Sequence, residues 1–194
     1  MNIRECQQEM RFAFLGGFAG QLVSGLIWLA AAAVSTWHQT STGMAALFFG
    51  CMLIFPLTQA TLKLLGLPAR VSDENLLWGL GSQVAFTVPI NFLLVGAATL
   101  HQENWFFPAA LIVVGAHYFP FITLYGMKLF AALAGVMTSV GAFLGLYYPG
   151  SFSLGGWIGA GTMILFAFIG RALVLKEQGG SLYPMVQGSH ERKR

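Results

Sequence analysis

Charge is what this sequence has least of. Only 9% of its 194 residues are Asp, Glu, Lys or Arg, whereas soluble domains carry roughly a quarter. Between Phe12 and Gly170 the charged residues are Lys63, Arg70, Asp73, Glu74, Glu103 and Lys128 alone. So few charges cannot solvate the surface of a soluble fold of that length, which excludes an ordinary globular domain. Cysteine is scarce too. Cys6 lies in a polar lead and Cys51 in an apolar run, so neither a disulfide framework nor zinc spacing is present. Also missing are an acidic pair within an apolar run, a His-Glu-x-x-His sequence, a Gly-x-Ser-x-Gly elbow and a phosphate-cradling Walker loop. The chain is therefore not expected to be an enzyme, and no cofactor or metal is expected. His38, His101 and Glu103 share one face, but three loop residues without a motif do not define a metal site.

What is present is apolar sequence in long runs. Hydrophobic residues make up 56% of the chain and the mean hydropathy is +0.69. Six runs, at about 12–37, 44–65, 76–100, 105–125, 128–148 and 154–175, are each long enough to cross a bilayer as a helix. The first is too long for a signal peptide, and the residues before it are mixed in charge. The expected fold is an all-α polytopic membrane bundle of six transmembrane helices. Its parts would be a cytoplasmic lead at 1–11, the membrane domain at 12–176, and a flexible basic cytoplasmic tail at 177–194.

The charges test this topology. Arg4 and Arg11 precede the first span, Lys63 and Arg70 lie at the second loop, and Lys128 at the fourth. Arg171, Lys176, Arg192, Lys193 and Arg194 follow the sixth. All the basic residues thus fall on one face, and the positive-inside tendency makes that face, with both termini, cytoplasmic. Trp37, Trp105, Tyr147, Tyr148 and Trp157 fall at the opposite ends of spans, as an interfacial aromatic belt requires.

Polar residues inside the spans are the candidate functional groups. His117 is the one histidine within an apolar run, followed by Tyr118 and Pro120. A polar side chain and a proline both ask for protein neighbours in lipid, so the fourth span is expected at the centre of the bundle. Gln83, Thr87 and Asn91 recur every four residues and form a drifting polar stripe on the third span. Gln21, Ser24, Thr87 and His117 reach similar depth, within roughly 5 Å of the midplane at 1.5 Å per residue, with Gln59 and Gln83 somewhat nearer the cytoplasm. Pro56, Pro89 and Pro120 free backbone carbonyls in three of the helices. The expected site is a midplane cavity lined by His117, Tyr118, Gln83, Thr87, Asn91 and Gln59. Neutral amides and hydroxyls also serve simply as hydrogen-bonding glue between helices; an imidazole adds a charge change near neutral pH.

Small residues mark the other candidate faces. Gly16, Gly20 and Ser24 recur every four residues, and Gly155, Gly156, Gly159 and Gly161 open the sixth span, as helix-packing seams would. Phe55-Pro56 with Lys63-Leu64 is echoed by Phe119-Pro120 with Lys128-Leu129, which favours spans two and four as neighbours.

The charged lead into a span with Ile27-Trp28-Leu29, and His117-Tyr118-x-Pro120 followed by Tyr125-Gly126-Met127, resemble a family of small bacterial integral membrane proteins of unknown function. The resemblance implies a compact six-helix architecture in a bacterial inner membrane and carries no established activity. Two functional classes follow from the residues. One is a small transporter or permeation protein for a neutral or amphipathic solute; without a charged residue deep in the spans, a carboxylate-based ion coupler does not fit. The other is a non-transporting scaffold, sensor or accessory subunit packed through its glycine faces. Expected partners are the lipid bilayer, a small solute, and a second copy or a membrane partner, with no nucleic acid.

Overall fold

The computed structural model describes residues 1–148 and 150–179. Among the described residues there are seven α-helices and no strands: α1 (Ile3–Ala13), α2 (Phe18–Trp37), α3 (Thr40–Leu64), α4 (Leu76–His101), α5 (Phe106–Tyr125), α6 (Leu129–Tyr147) and α7 (Leu154–Glu177). Short 3-10 turns at Leu15–Gly17 and Glu103–Trp105 precede α2 and α5. Six helices, all but α1, are long and apolar enough to cross a membrane, so the expectation of an all-helical, six-span protein holds. The sequence had placed each span to within a few residues, because bilayer thickness sets the length of every apolar run.

The short polar lead folds as α1. Asn2 caps it, accepting from the Glu5 amide at 3.0 Å, while the Glu5 carboxylate accepts from the Asn2 amide at 2.9 Å. Cys6, Met10 and Ala13 are buried on its inner face. The chain then turns sharply, with three successive residues at positive φ: Leu15 (47°), Gly16 (61°) and Gly17 (81°). Gly16 therefore lies in this turn and not on the small-residue face expected for the first span.

α5 packs against α1, α4, α6 and α7, in accord with its expected central place. α2 and α7 form a second tight pair, α3 lies outside α2, and α4 lies outside α5. Trp28, 1% exposed, packs its ring on Phe107 at 5.9 Å. The glycines of α7 make the room: a Cβ on Gly159 would stand 2.6 Å from the Trp28 ring, and one on Gly156 would stand 2.7 Å from Phe107. The seam read at Gly155, Gly156 and Gly159 is thus filled by the chain's own helices, whereas Gly161 has open space around it.

Spans two and four are not a packed pair, contrary to the sequence echo. α3 keeps to α2 and α5 to α6, and α3 barely meets α4. Only 11% of the α3 span and 17% of the α4 span are buried, against 50% for the span containing α2. The two outer helices expose Phe49, Met52, Phe55, Phe86, Leu93 and Leu94, which suits a lipid environment.

The helix ends gather polar contacts. At the end carrying α1, Arg11 pairs with Glu177 at 2.9 Å and Glu9 accepts from Asn75 at 2.7 Å. Glu177 therefore belongs to α7 and not to the expected tail, and the basic residues Arg192, Lys193 and Arg194 lie outside the described residues. At the other end the Thr40 hydroxyl donates to Glu103, and Trp157 Nε1 donates to Thr36 at 3.0 Å.

Candidate functional site

His117 sits between α4 and α5, half-buried, with its ring against Tyr118 at 5.7 Å and Phe121 at 5.0 Å. The imidazole lies against the backbone of Val84 in α4. Thr87 donates to the same Val84 carbonyl at 2.7 Å. One carbonyl thus brings together two of the residues read from the sequence. Pro89, five residues beyond Val84, has no N–H to give to the carbonyl of Ala85, so α4 is loosened near this point. His117 Nδ1 is buried and has no hydrogen-bond partner among the described residues.

Tyr118 is buried in a run of stacked rings. It lies parallel to Phe130 at 6.2 Å, and Phe130 in turn packs on Tyr125 at 5.2 Å and Phe121 at 5.4 Å. Its hydroxyl is in electrostatic reach of Cys51 on α3 and Tyr125. Aromatic rings therefore occupy the level where the sequence reading put a lined cavity.

The stripe on the third span divides. Gln83 and Thr87 are exposed and Asn91 is half-buried, on the flank of a buried face made by Leu77, Val84, Phe92 and Val95. Only its middle member reaches His117, through the shared carbonyl. Gln59 is half-buried on α3. The expected single belt around His117 is thus not assembled: Gln83 is exposed, Gln59 and Asn91 are half-buried, and α3 and α4 barely meet. A drift of about 40° for each step of four residues, at 3.6 residues per turn, carries Gln83 out of contact while Asn91 stays at the edge.

Gln21 and Thr58 stand out instead. Gln21 is 3% exposed, and neither its amide nitrogen nor its amide oxygen has a partner among the described residues. Thr58 Oγ1 is also buried without one. Gly20, beside Gln21, faces Thr58: a Cβ there would lie 3.8 Å from its hydroxyl. A Cβ on Gly17 would touch both the Phe130 ring at 3.3 Å and Gln21 Nε2 at 3.7 Å. Gly17 thus lies between the Gln21 amide and the Phe130 ring, and Phe130 in turn stacks on Tyr118. Depth already points to Gln21 in the sequence; what it cannot give is that its amide is buried without a partner among the described residues.

Two grooves lie near the end opposite α1. One, of about 470 Å³, runs between α3 and α4 past Met44, Phe48, Phe92, Gly96 and Thr99. The other, of about 220 Å³, lies between α5 and α6 and is lined by Trp105, Pro108, Ile112, Gly141 and Gly145. Neither is lined by His117 or Gln21. His101 packs on Trp105 at 5.4 Å, and no group of three or more His, Cys, Asp or Glu able to hold a metal ion occurs among the described residues. Cys6 and Cys51 are both free.

The chain belongs to a family of unknown function (DUF7010), which matches it over residues 3–177. That match runs from the first residue of α1 to the last of α7. No curated protein and no solved structure matches the chain.

Proposed function

We propose that this chain is a small membrane transport or permeation protein, and not an enzyme, for a neutral or amphipathic solute. The observation that carries the reading is that both ends of the Gln21 amide, Thr58 Oγ1, His117 Nδ1 and Thr138 Oγ1, on four spans, are buried without partners among the described residues. Within a membrane such groups cannot turn to lipid, and each costs about 1–3 kcal/mol when unsatisfied. A state in which water or a solute reaches them removes that cost. α3 and α4 barely meet each other and are interrupted by Pro56 and Pro89, so the gap between them is where the outer layer can part. The basic residues orient the α1 end toward the cytoplasm, and the sequence resemblance suggests a bacterial inner membrane.

A second reading is a scaffold or accessory subunit that docks through its outer faces. It is favoured by the uncovered apolar surfaces of α3 and of α4, where Gly79 and Gly96 of α4 have none of the described residues of other elements within 4 Å.

The test is a thermal-shift screen of the purified chain against neutral and amphipathic solutes, run on wild type and Gln21→Leu. Ligand binding to the folded state raises its stability with concentration. A solute that stabilises wild type and not Gln21→Leu supports the transport reading. Stabilisation by no solute, together with a defined mass above the monomer in mild detergent, supports the second.

A further inference from the structure

We propose that α1 is a hinged strap that closes one end of the bundle and opens as a unit, uncovering the α4–α5 seam on which His117 lies. The strap is tied to three separate segments. Gln7 Nε2 donates to the Thr123 carbonyl at 2.7 Å and Arg11 Nη1 to the Tyr125 carbonyl at 2.7 Å, so α1 supplies donors to the last turn of α5. Arg11 also holds Glu177 at the end of α7 through two bonds of 3.1 and 2.9 Å. Glu9 accepts from the Ser72 amide at 2.8 Å and from Asn75 at 2.7 Å, in the segment leading into α4. The ends of α4, α5 and α7 are thus clasped by one short helix.

The contacts are of a kind that can release. Most are polar and at least partly exposed, where water can replace them, and Glu177 is 42% exposed at its side chain. The apolar underside is small: Cys6, Met10 and Ala13 are buried and Phe12 is partly so. The joint to the membrane domain is the Leu15-Gly16-Gly17 turn, where positive φ at three consecutive residues breaks helical continuity between α1 and α2. Beneath the strap, a Cβ on Gly81 would lie 3.9 Å from Leu124 and 4.0 Å from Met10. One turn further along α4 is Val84, whose backbone faces His117. Lifting α1 would therefore expose the α4–α5 seam that leads to the histidine.

Cys6 reports the motion directly, since it is 4% exposed under the closed strap. The experiment measures labelling of Cys6 by a water-soluble maleimide in the full chain carrying Cys51→Ala, reconstituted in lipid nanodiscs far below its melting temperature. Glu177→Gln should speed labelling about two- to fivefold, the range for one partly exposed ion pair, and Arg11→Ala about tenfold, because it also frees the Tyr125 carbonyl. Melting temperatures recorded on the same samples separate strap opening from unfolding. Faster labelling with a melting temperature close to the parent's establishes the strap. Unchanged labelling in Glu177→Gln and Arg11→Ala, or labelling that rises only in step with loss of the whole fold, overturns it. Should Arg11→Ala not fold, Glu177→Gln decides alone. The strap's role as a gate rests on the transport reading, but labelling needs no solute, so either idea can fail without the other.

Discussion

Trp28 and Gly159 set how closely α2 and α7 approach. The indole is 1% exposed and lies where a Cβ on Gly159 would meet it at 2.6 Å. Because Trp28 also packs on Phe107, it has nowhere to retreat.

Gly159→Ala should accordingly destabilise the fold by about 1–3 kcal/mol, the usual cost of overpacking. Gly161→Ala, two residues on with nothing within 4 Å among the described residues, should leave the melting temperature unchanged or slightly raised. Equal melting temperatures for both variants in detergent would show that the α2–α7 contact is looser than described.

Asn75 makes three bonds from one buried side chain: it accepts from the Leu77 amide at 3.1 Å and donates to the Cys6 carbonyl at 3.1 Å and to Glu9 at 2.7 Å. Asn75→Ala removes an N-cap and leaves the Cys6 carbonyl without this donor, at a cost of about 2–3 kcal/mol. Asn75→Asp keeps the cap but sets a second carboxylate beside Glu9, so it should not restore the parent melting temperature. Full rescue by Asp would mean that the cap alone matters.

Gln21→Leu exchanges an unpartnered amide for an apolar side chain of similar size, and stability should hold or rise. Gln21→Ala should instead cost about 2 kcal/mol or more through the cavity it leaves. Thermal denaturation of both in the same detergent checks the order; a strongly destabilised Gln21→Leu would reveal a partner for the amide.

His117→Phe preserves the ring packing on Tyr118 and Phe121, whereas His117→Ala removes it. The melting temperature should therefore stay near wild type for Phe and fall for Ala, with a loss of about 2–4 kcal/mol expected for a large-to-small change. Any solute-dependent stabilisation should disappear in both, since neither keeps the imidazole. Solute stabilisation that survives in His117→Phe would move the site away from α5.

Arg11 and Glu177 should show a coupling of about 0.5–1 kcal/mol in a double-mutant cycle at low salt, falling toward zero near 1 M salt. A coupling independent of salt would mark a pair more buried than its exposure suggests.

α1 was legible in part. Asn2 with Glu5 is a capping pattern, and Cys6, Met10 and Ala13 recur at helical spacing. Read as charge and length alone, the lead looked like a polar segment. The signal was there, but a helix this short becomes stable only through its contacts with Thr123, Tyr125, Asn75 and Glu177. The Gln83, Thr87 and Asn91 stripe shows the converse. Its periodicity was real, yet periodicity says only that residues share a face, never which neighbour the face meets.

The sequence by itself determined that this is a helical membrane protein with six runs long and apolar enough to span, and about where each lies. Those properties follow from bilayer thickness and the cost of burying charge, which act on each segment separately. Tertiary structure alone decided that α3 and α4 are the outer layer, that Gln21 and Thr58 are buried without partners among the described residues, and that α1 clasps three helices. The physical reason is that in lipid every apolar face is equally content against a helix or an acyl chain. Which faces meet is then set by shape, such as Trp28 against Gly159, and by hydrogen bonds between residues far apart in the chain.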